Sequence, residues 1–231
     1  MKFTMVLYSE IAPEQWDRMV GSLSEATYQH TSQWLQFTAL MSGVVDNHSI
    51  AILSDRKEVL AVAPFGASRD TFGNDVGLFG STPFAAPAIA SGTRSLRRKV
   101  LSHVLQCYAN YSAERNLVLF HFSSSPLSIG YCSKRPDFFP DDFKLIASGY
   151  LLHVEHMIMI DLSKSQEELL SVLSTFQRTH IRRSGRDGFT LAVINPSTDD
   201  ARAEKIFQLF VETHRQSAGK LTRPQGTWDQ M

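Results

Sequence analysis

Four arginines and a histidine fall within nine residues: Arg178, His180, Arg182, Arg183 and Arg186, with Asp187 the one acid beside them. Guanidinium forks bind phosphate and carboxylate in a bidentate manner, so this run could hold an anionic substrate. The plainer reading is a solvated basic face at a helix C-terminus, where the negative end of the helix dipole favours cations. Spacing alone leaves the two readings level. Other reactive side chains point to less. His153 and His156 lie in a strand-like stretch, where i and i+3 project to opposite faces, so they cannot share one metal ion. His214 sits on the apolar side of a helical run and reads as a hydrogen-bonded core histidine. Cys107 and Cys132 belong to no C-x-x-C pair and read as reduced structural thiols. No G-x-S-x-G elbow marks a nucleophile. The sequence therefore offers no metal site and no assigned catalytic residue.

The elements that would position the arginines are read around them. Asp161 to Thr190 reads as the end of a strand, one helix of about six turns, a stop at Gly188 and a new strand from Phe189. Ser163 or Ser165 can cap that helix, and Glu167 and Glu168 complement its positive end. Leu169, Leu170, Leu173 and Phe176 recur at helical spacing and predict a buried face. Upstream, Lys2–Tyr8 alternates like a strand, Pro13 opens a short helix, and Thr31 or Ser32 caps a second one over Gln33–Met41. Ser49–Leu53 and Val59–Ala67 form a hairpin, with a third strand over Phe72–Phe79 and an irregular loop from Gly80 to Pro87. A helix spans Arg94–Arg115 and a strand Leu117–Phe122. The Ser- and Pro-rich stretch from Ser123 to Asp142 marks a subdomain boundary. Beyond it come a strand over Tyr150–Asp161, the arginine helix, a strand over Phe189–Ile194 and a helix from Asp199 to about Ser217.

Three stretches carry a resemblance. Asp161-Leu162-Ser163, Ser165, Glu167-Glu168-Leu169, then Arg178, Ile181-Arg182-Arg183 and Gly188 resemble the D-L-S-x-S-x-E-E-L and R-x-x-I-R-K-A-x-K-x-G pattern of FemAB-type acyltransferases. Tyr28-Gln29-His30-Thr31-Ser32-Gln33-Trp34 is similar to the opening of an early helix in that family, and Ser81-x-Pro83-Phe84 to a loop of its exopolysaccharide-associated members. The resemblance implies an α/β, GNAT-like acyltransferase fold. One complete subdomain (1–149) would be followed by the N-terminal part of a second (150–231), so the chain reads as a truncated form. It implies transfer of an acyl or aminoacyl group to an amine of a cell-envelope glycan or peptide precursor. The donor would be acyl-CoA or aminoacyl-tRNA. Arg178, Arg182, Arg183, Arg223 and Trp228 are the substrate-binding residues it points to. Peptidoglycan-building members carry lysine where this chain has Phe37 or Thr38, which tilts the donor towards acyl-CoA and away from tRNA. A non-catalytic scaffold and a tRNA-dependent peptidoglycan bridge-forming enzyme are the rival readings.

Composition narrows the partners. Lys+Arg and Asp+Glu are equal at 23 each, so no global field recruits nucleic acid or anionic membrane, and any such binding must come from a local patch. No signal-peptide pattern and no spanning segment are read, and the expected location is the cytoplasm.

Overall fold

The computed structural model describes residues 2–41, 43–78, 83–123, 149–151, 161, 163–189 and 200–219. The chain forms two compact units, the first built on Met1–Leu152 and the second on His153–Leu221.

In the first unit, β1 (Thr4–Leu7) leads to α1 (Pro13–Gly21), whose proline at the first turn needs no N–H partner. Trp16 and Val20, one turn apart, are its buried residues. Helix α2 (Ser32–Ala39) starts at Thr31, whose Oγ1 accepts the Trp34 N–H at 3.3 Å. Then come β2 (Val44–Asn47), β3 (Ile50–Leu53), β4 (Val59–Ala63), β5 (Gly66–Arg69), β6 (Asp75–Val76), β7 (Phe84–Ala85) and β8 (Ala88–Ile89). Helix α3 (Arg94–Arg115) is capped by Thr93 and closed by Asn116 in the left-handed region at φ 53°. A last strand, β9 (Phe122–Ser123), follows.

One antiparallel sheet has the order β1-β3-β4-β8, and a second β2-β5-β6. The third pairing, β7 with β9, is parallel, and a parallel bridge joins Gly77 to Phe120. A parallel return needs a crossover, and α3 supplies it. Gly77 is required there, because a Cβ would collide with the Phe120 ring. Both α1 and α3 touch β4, whose residues Leu60 to Ala63 are all buried. A strand buried without alternation is covered on both faces. The order strand, two helices, antiparallel strands, long helix and parallel strand is the GNAT-like order expected, and the α/β class is observed.

Several expectations change. Val59–Ala67 is two strands, because the register of β4 ends at Ala63 and β5 pairs with β2 instead. The third strand shrinks to Asp75–Val76. Asp70 accepts the N–H groups of Phe72 and Asn74 at 2.8 Å each, a tight turn that leaves Phe72 exposed. The loop expected to be irregular contributes β7 in its described part.

The described part of the second unit is three helices: α4 (Gln166–Val172), α5 (Thr175–Arg186) and α6 (Asp200–Ala218). The single six-turn helix expected is thus two. Leu173 adopts extended backbone (ψ 150°), and Ser174 begins a new helix with its own capping box. The predicted buried face is also absent: neither α4 nor α5 has a buried residue, and Phe176 is 72% exposed. The strands expected over Tyr150–Asp161 and Phe189–Ile194 lie mostly outside the described residues. Tyr150, itself within the first unit, packs at a ring distance of 5.5 Å from Phe122.

Candidate functional site

The arginine helix is built by two successive caps. The Ser165 hydroxyl accepts the Glu168 N–H while the Glu168 carboxylate accepts the Ser165 N–H at 2.8 Å. Ser174, two residues past the end of α4, repeats the exchange with Gln177, at 3.3 and 3.0 Å. Upstream, the Asp161 carboxylate accepts the N–H and hydroxyl of Ser163, which holds its pKa below the usual carboxylate range.

These caps set the arginines apart. Arg178 donates to the Ser171 carbonyl at 3.3 Å and to Thr175 Oγ1 at 3.2 Å, tying the end of α4 to the start of α5. Arg183 pairs with Asp187 at 3.2 Å. Arg182 and Arg186 are exposed, one turn apart, and pair with no described acid. Arg178, Arg182 and Arg186, at i, i+4 and i+8 of one helix, thus form a stripe, but Arg178 and the neighbouring Arg183 are already engaged locally. Two free guanidinium groups on one stripe suit a single phosphate or carboxylate. His180 packs edge-on against Phe176 at 4.3 Å. Arg223, Trp228, His153, His156 and Cys132 lie outside the described residues. His214 is half-buried near Phe210, at a ring distance of 6.4 Å.

In the first unit, the segment Tyr28–Ser32 is fixed from three directions. Trp16 donates its indole N–H to the His30 carbonyl at 2.7 Å. Asp17 accepts the N–H and hydroxyl of Ser32 at 2.7 and 2.6 Å. His30, 2% exposed, accepts the Thr27 N–H on Nδ1 at 3.0 Å and places Nε2 2.9 Å from the Ala86 carbonyl. Those partners assign the proton to Nε2 and leave the ring neutral. Burial lowers its pKa and outweighs the two backbone hydrogen bonds. The bond to Ala86 ties the stretch around Gln29–Trp34 to the backbone two residues past Phe84. Beside it, Tyr28, Trp34 and Phe37 form a ladder of rings 5.4 Å apart, with Tyr28 56% exposed. An exposed aromatic ledge next to an extended strand suits an apolar or sugar-like ligand face.

A second polar cluster escaped the sequence reading. Tyr111 donates to Asp46 Oδ2 at 3.0 Å, and Arg115 reaches the same oxygen at 2.7 Å. The His48 ring stacks on Tyr111 at 4.6 Å. Burial lowers the His48 pKa, against the pull of Asp46 and Glu114. The Tyr111 hydroxyl is pushed far up, first by burial and then by Asp46. Its members lie 65 and 69 residues apart along the chain, and only the i, i+4 spacing of Tyr111 and Arg115 was visible as a signal. Among the described residues no group of His, Cys, Asp and Glu could hold a metal ion, and no helix is long and apolar enough to cross a membrane.

No family model matches the chain, and no curated protein does. Among solved structures it is similar to a ribosomal-protein-alanine N-acetyltransferase from Brucella melitensis biovar Abortus 2308, with 7% identity and a TM-score of 0.40. The match covers 70% of this chain and 98% of that one. Likeness at that level transfers no activity to the chain.

Proposed function

We propose that the chain acts as an amide-forming acyltransferase of the FemAB type, on an amine of a cell-envelope glycan or peptide precursor. The observation that carries this reading is the His30–Ala86 hydrogen bond. It ties His30, inside the stretch that resembles the family's early-helix opening, to Ala86, 56 residues along the chain and two residues past Phe84 of the second resembling stretch. The GNAT-like order of the first unit supports the same reading.

The reaction needs little covalent chemistry from the protein. The amine nitrogen attacks the acyl carbonyl, the C–N bond forms and the C–S bond of a thioester donor breaks. The amine proton leaves to a base and the departing thiolate takes up a proton. In this reading Arg182, with Arg178 and Arg183 shaping its helix, holds an anionic group of a substrate, and Arg223 and Trp228 contact the acceptor. Acyl-CoA is the favoured donor over aminoacyl-tRNA.

The test incubates the protein with acyl-CoA and amine-bearing envelope glycans and follows free thiol and amide by mass spectrometry. A parallel salt titration compares binding of acyl-CoA and tRNA. The expected result is thiol release dependent on the amine, with no tight tRNA binding near physiological salt. Steep, salt-sensitive tRNA binding would restore the peptidoglycan rival. Neither turnover nor binding of any donor would favour the scaffold rival, which the exposed Val172, Phe176 and Phe189 side chains also suit.

A further inference from the structure

Between Asp75 and Glu114 the chain has no acidic residue, yet α3 opens with Arg94, Arg97, Arg98 and Lys99. The first turns of a helix are its positive end, so cations there are unfavourable unless an anion offsets them. One is offset within the fold: Arg97 meets Glu25 at 2.9 Å, both largely buried. Arg94, Arg98 and Lys99 are exposed and pair with no described acid; they line an open groove with Phe3, Ser102 and His103.

The sheet register places more cations at the same end. Thr4 is opposite Leu53, so Lys2 runs beside the β3–β4 turn that carries Arg56 and Lys57. Ala61 is opposite Ile89, and the Ala90 N–H bonds the Leu60 carbonyl. The chain therefore enters α3 at that same turn. Lys2, Arg56, Lys57, Arg94, Arg98 and Lys99 collect at one end of the first unit, with Asp55 and Glu58 the acids of that turn. A chain with no net charge thus has a local field that its composition hides.

We infer that this basic end of the first unit docks on an anionic lipid surface. The cations are spread over three element ends around an open groove, which suits a plane of headgroups better than one enclosed small anion. Phe3, the one aromatic ring of Phe, Tyr or Trp lining the groove, is half-buried and packs against His103 at 5.2 Å, whereas single-stranded nucleic acid is held on several stacking rings. The inference rests on the first unit alone and is independent of acyl transfer.

The experiment is co-sedimentation of the full chain with vesicles of phosphatidylcholine, with and without phosphatidylglycerol, across a salt series. Binding is expected only to the anionic vesicles and falls as salt rises. Reversing Arg94, Arg98 and Lys99 to Glu weakens it by about tenfold or more, whereas Arg182→Glu with Arg186→Glu does not. Should the triple variant melt early, Arg94→Gln and Lys99→Gln, at exposed positions, must each still weaken binding. Equal binding to neutral vesicles, equal loss in the Arg182/Arg186 control, or tighter binding to a short RNA duplex than to vesicles overturns the inference. Release of the protein from vesicles by micromolar inorganic pyrophosphate does so as well, since it would show a small-anion pocket.

Discussion

His30 does its work by being neutral. Folding lowers its pKa below the ordinary value of 6.5, and His48 is lowered in the same direction. Between the folded and unfolded values the unfolded chain binds more protons, so stability rises with pH there. The contribution is complete above about 6.5 and is lost as pH falls from there through the folded value. Urea midpoints should therefore drop between pH 7 and pH 5, and the drop should be smaller in His30→Gln, which has no proton to gain. A midpoint independent of pH over that range would refute the neutral assignment. The tyrosine hydroxyl at position 108 poses the opposite case. It is buried with no hydrogen-bond partner among the described residues, and burial raises its pKa well above the ordinary range. Removing an unsatisfied buried group recovers its desolvation cost, so Tyr108→Phe should raise stability by about 1 kcal/mol. Loss of stability in that variant would mean the hydroxyl is satisfied. Neither residue could be assigned its role from sequence. His30 depends on a carbonyl 56 residues away, and Tyr108 is one of several rings on an apolar helix face.

Elements were legible where local chemistry fixes both ends. Helix α3 runs over the residues its pattern predicted, because Thr93 caps it, six apolar positions recur at helical spacing and Asn116 closes it. The arginine helix misled because its apolar period continues through Ser174, and periodicity outweighed the Ser174-x-x-Gln177 capping box that was there to read. The short strands of the first unit were hard to read for another reason: β7 was missed and the strand expected over Leu117–Phe122 is displaced to β9, because each is two residues long and exists only through a partner far along the chain. The break changes what the arginines are expected to do. Arg178 bonds across it, so Arg178→Ala should fray α4 and α5 and cost up to about 1 kcal/mol. Arg182 bonds nothing described, so Arg182→Ala should move stability by no more than about 0.5 kcal/mol while weakening substrate binding by about tenfold, the worth of a charged hydrogen bond. Circular dichroism melts and a binding titration on both variants decide it. Equal melting losses, or unchanged binding in Arg182→Ala, would place the whole stripe in service of the fold.

At the scale of the whole chain, the two units differ in how their helices are held. In the first, β3 and β4 are sealed between helices, and Trp16, Ile50, Ile52, Val62 and Val104 show no exposure. In the second, α4 and α5 have no buried residue, and their order comes from caps, i, i+4 pairs and the Arg178 contacts. Isolated helices of 7 and 12 residues are marginal in water unless packing supports them. Opening free energies should therefore differ within one chain, near the global value for β3, β4 and the middle of α3 and far lower for α4 and α5. Native-state hydrogen exchange read by mass spectrometry should show peptides from α4 and α5 exchanging within seconds while those from β3 and β4 stay protected for hours. On the proposed reading, adding acyl-CoA should slow α5 and leave β3 unchanged, because a ligand stabilises only the state that binds it. If α5 is as protected as β4 without any ligand, then packing rather than capping holds it, and Arg182 loses its claim to be a waiting cation on a lightly held helix.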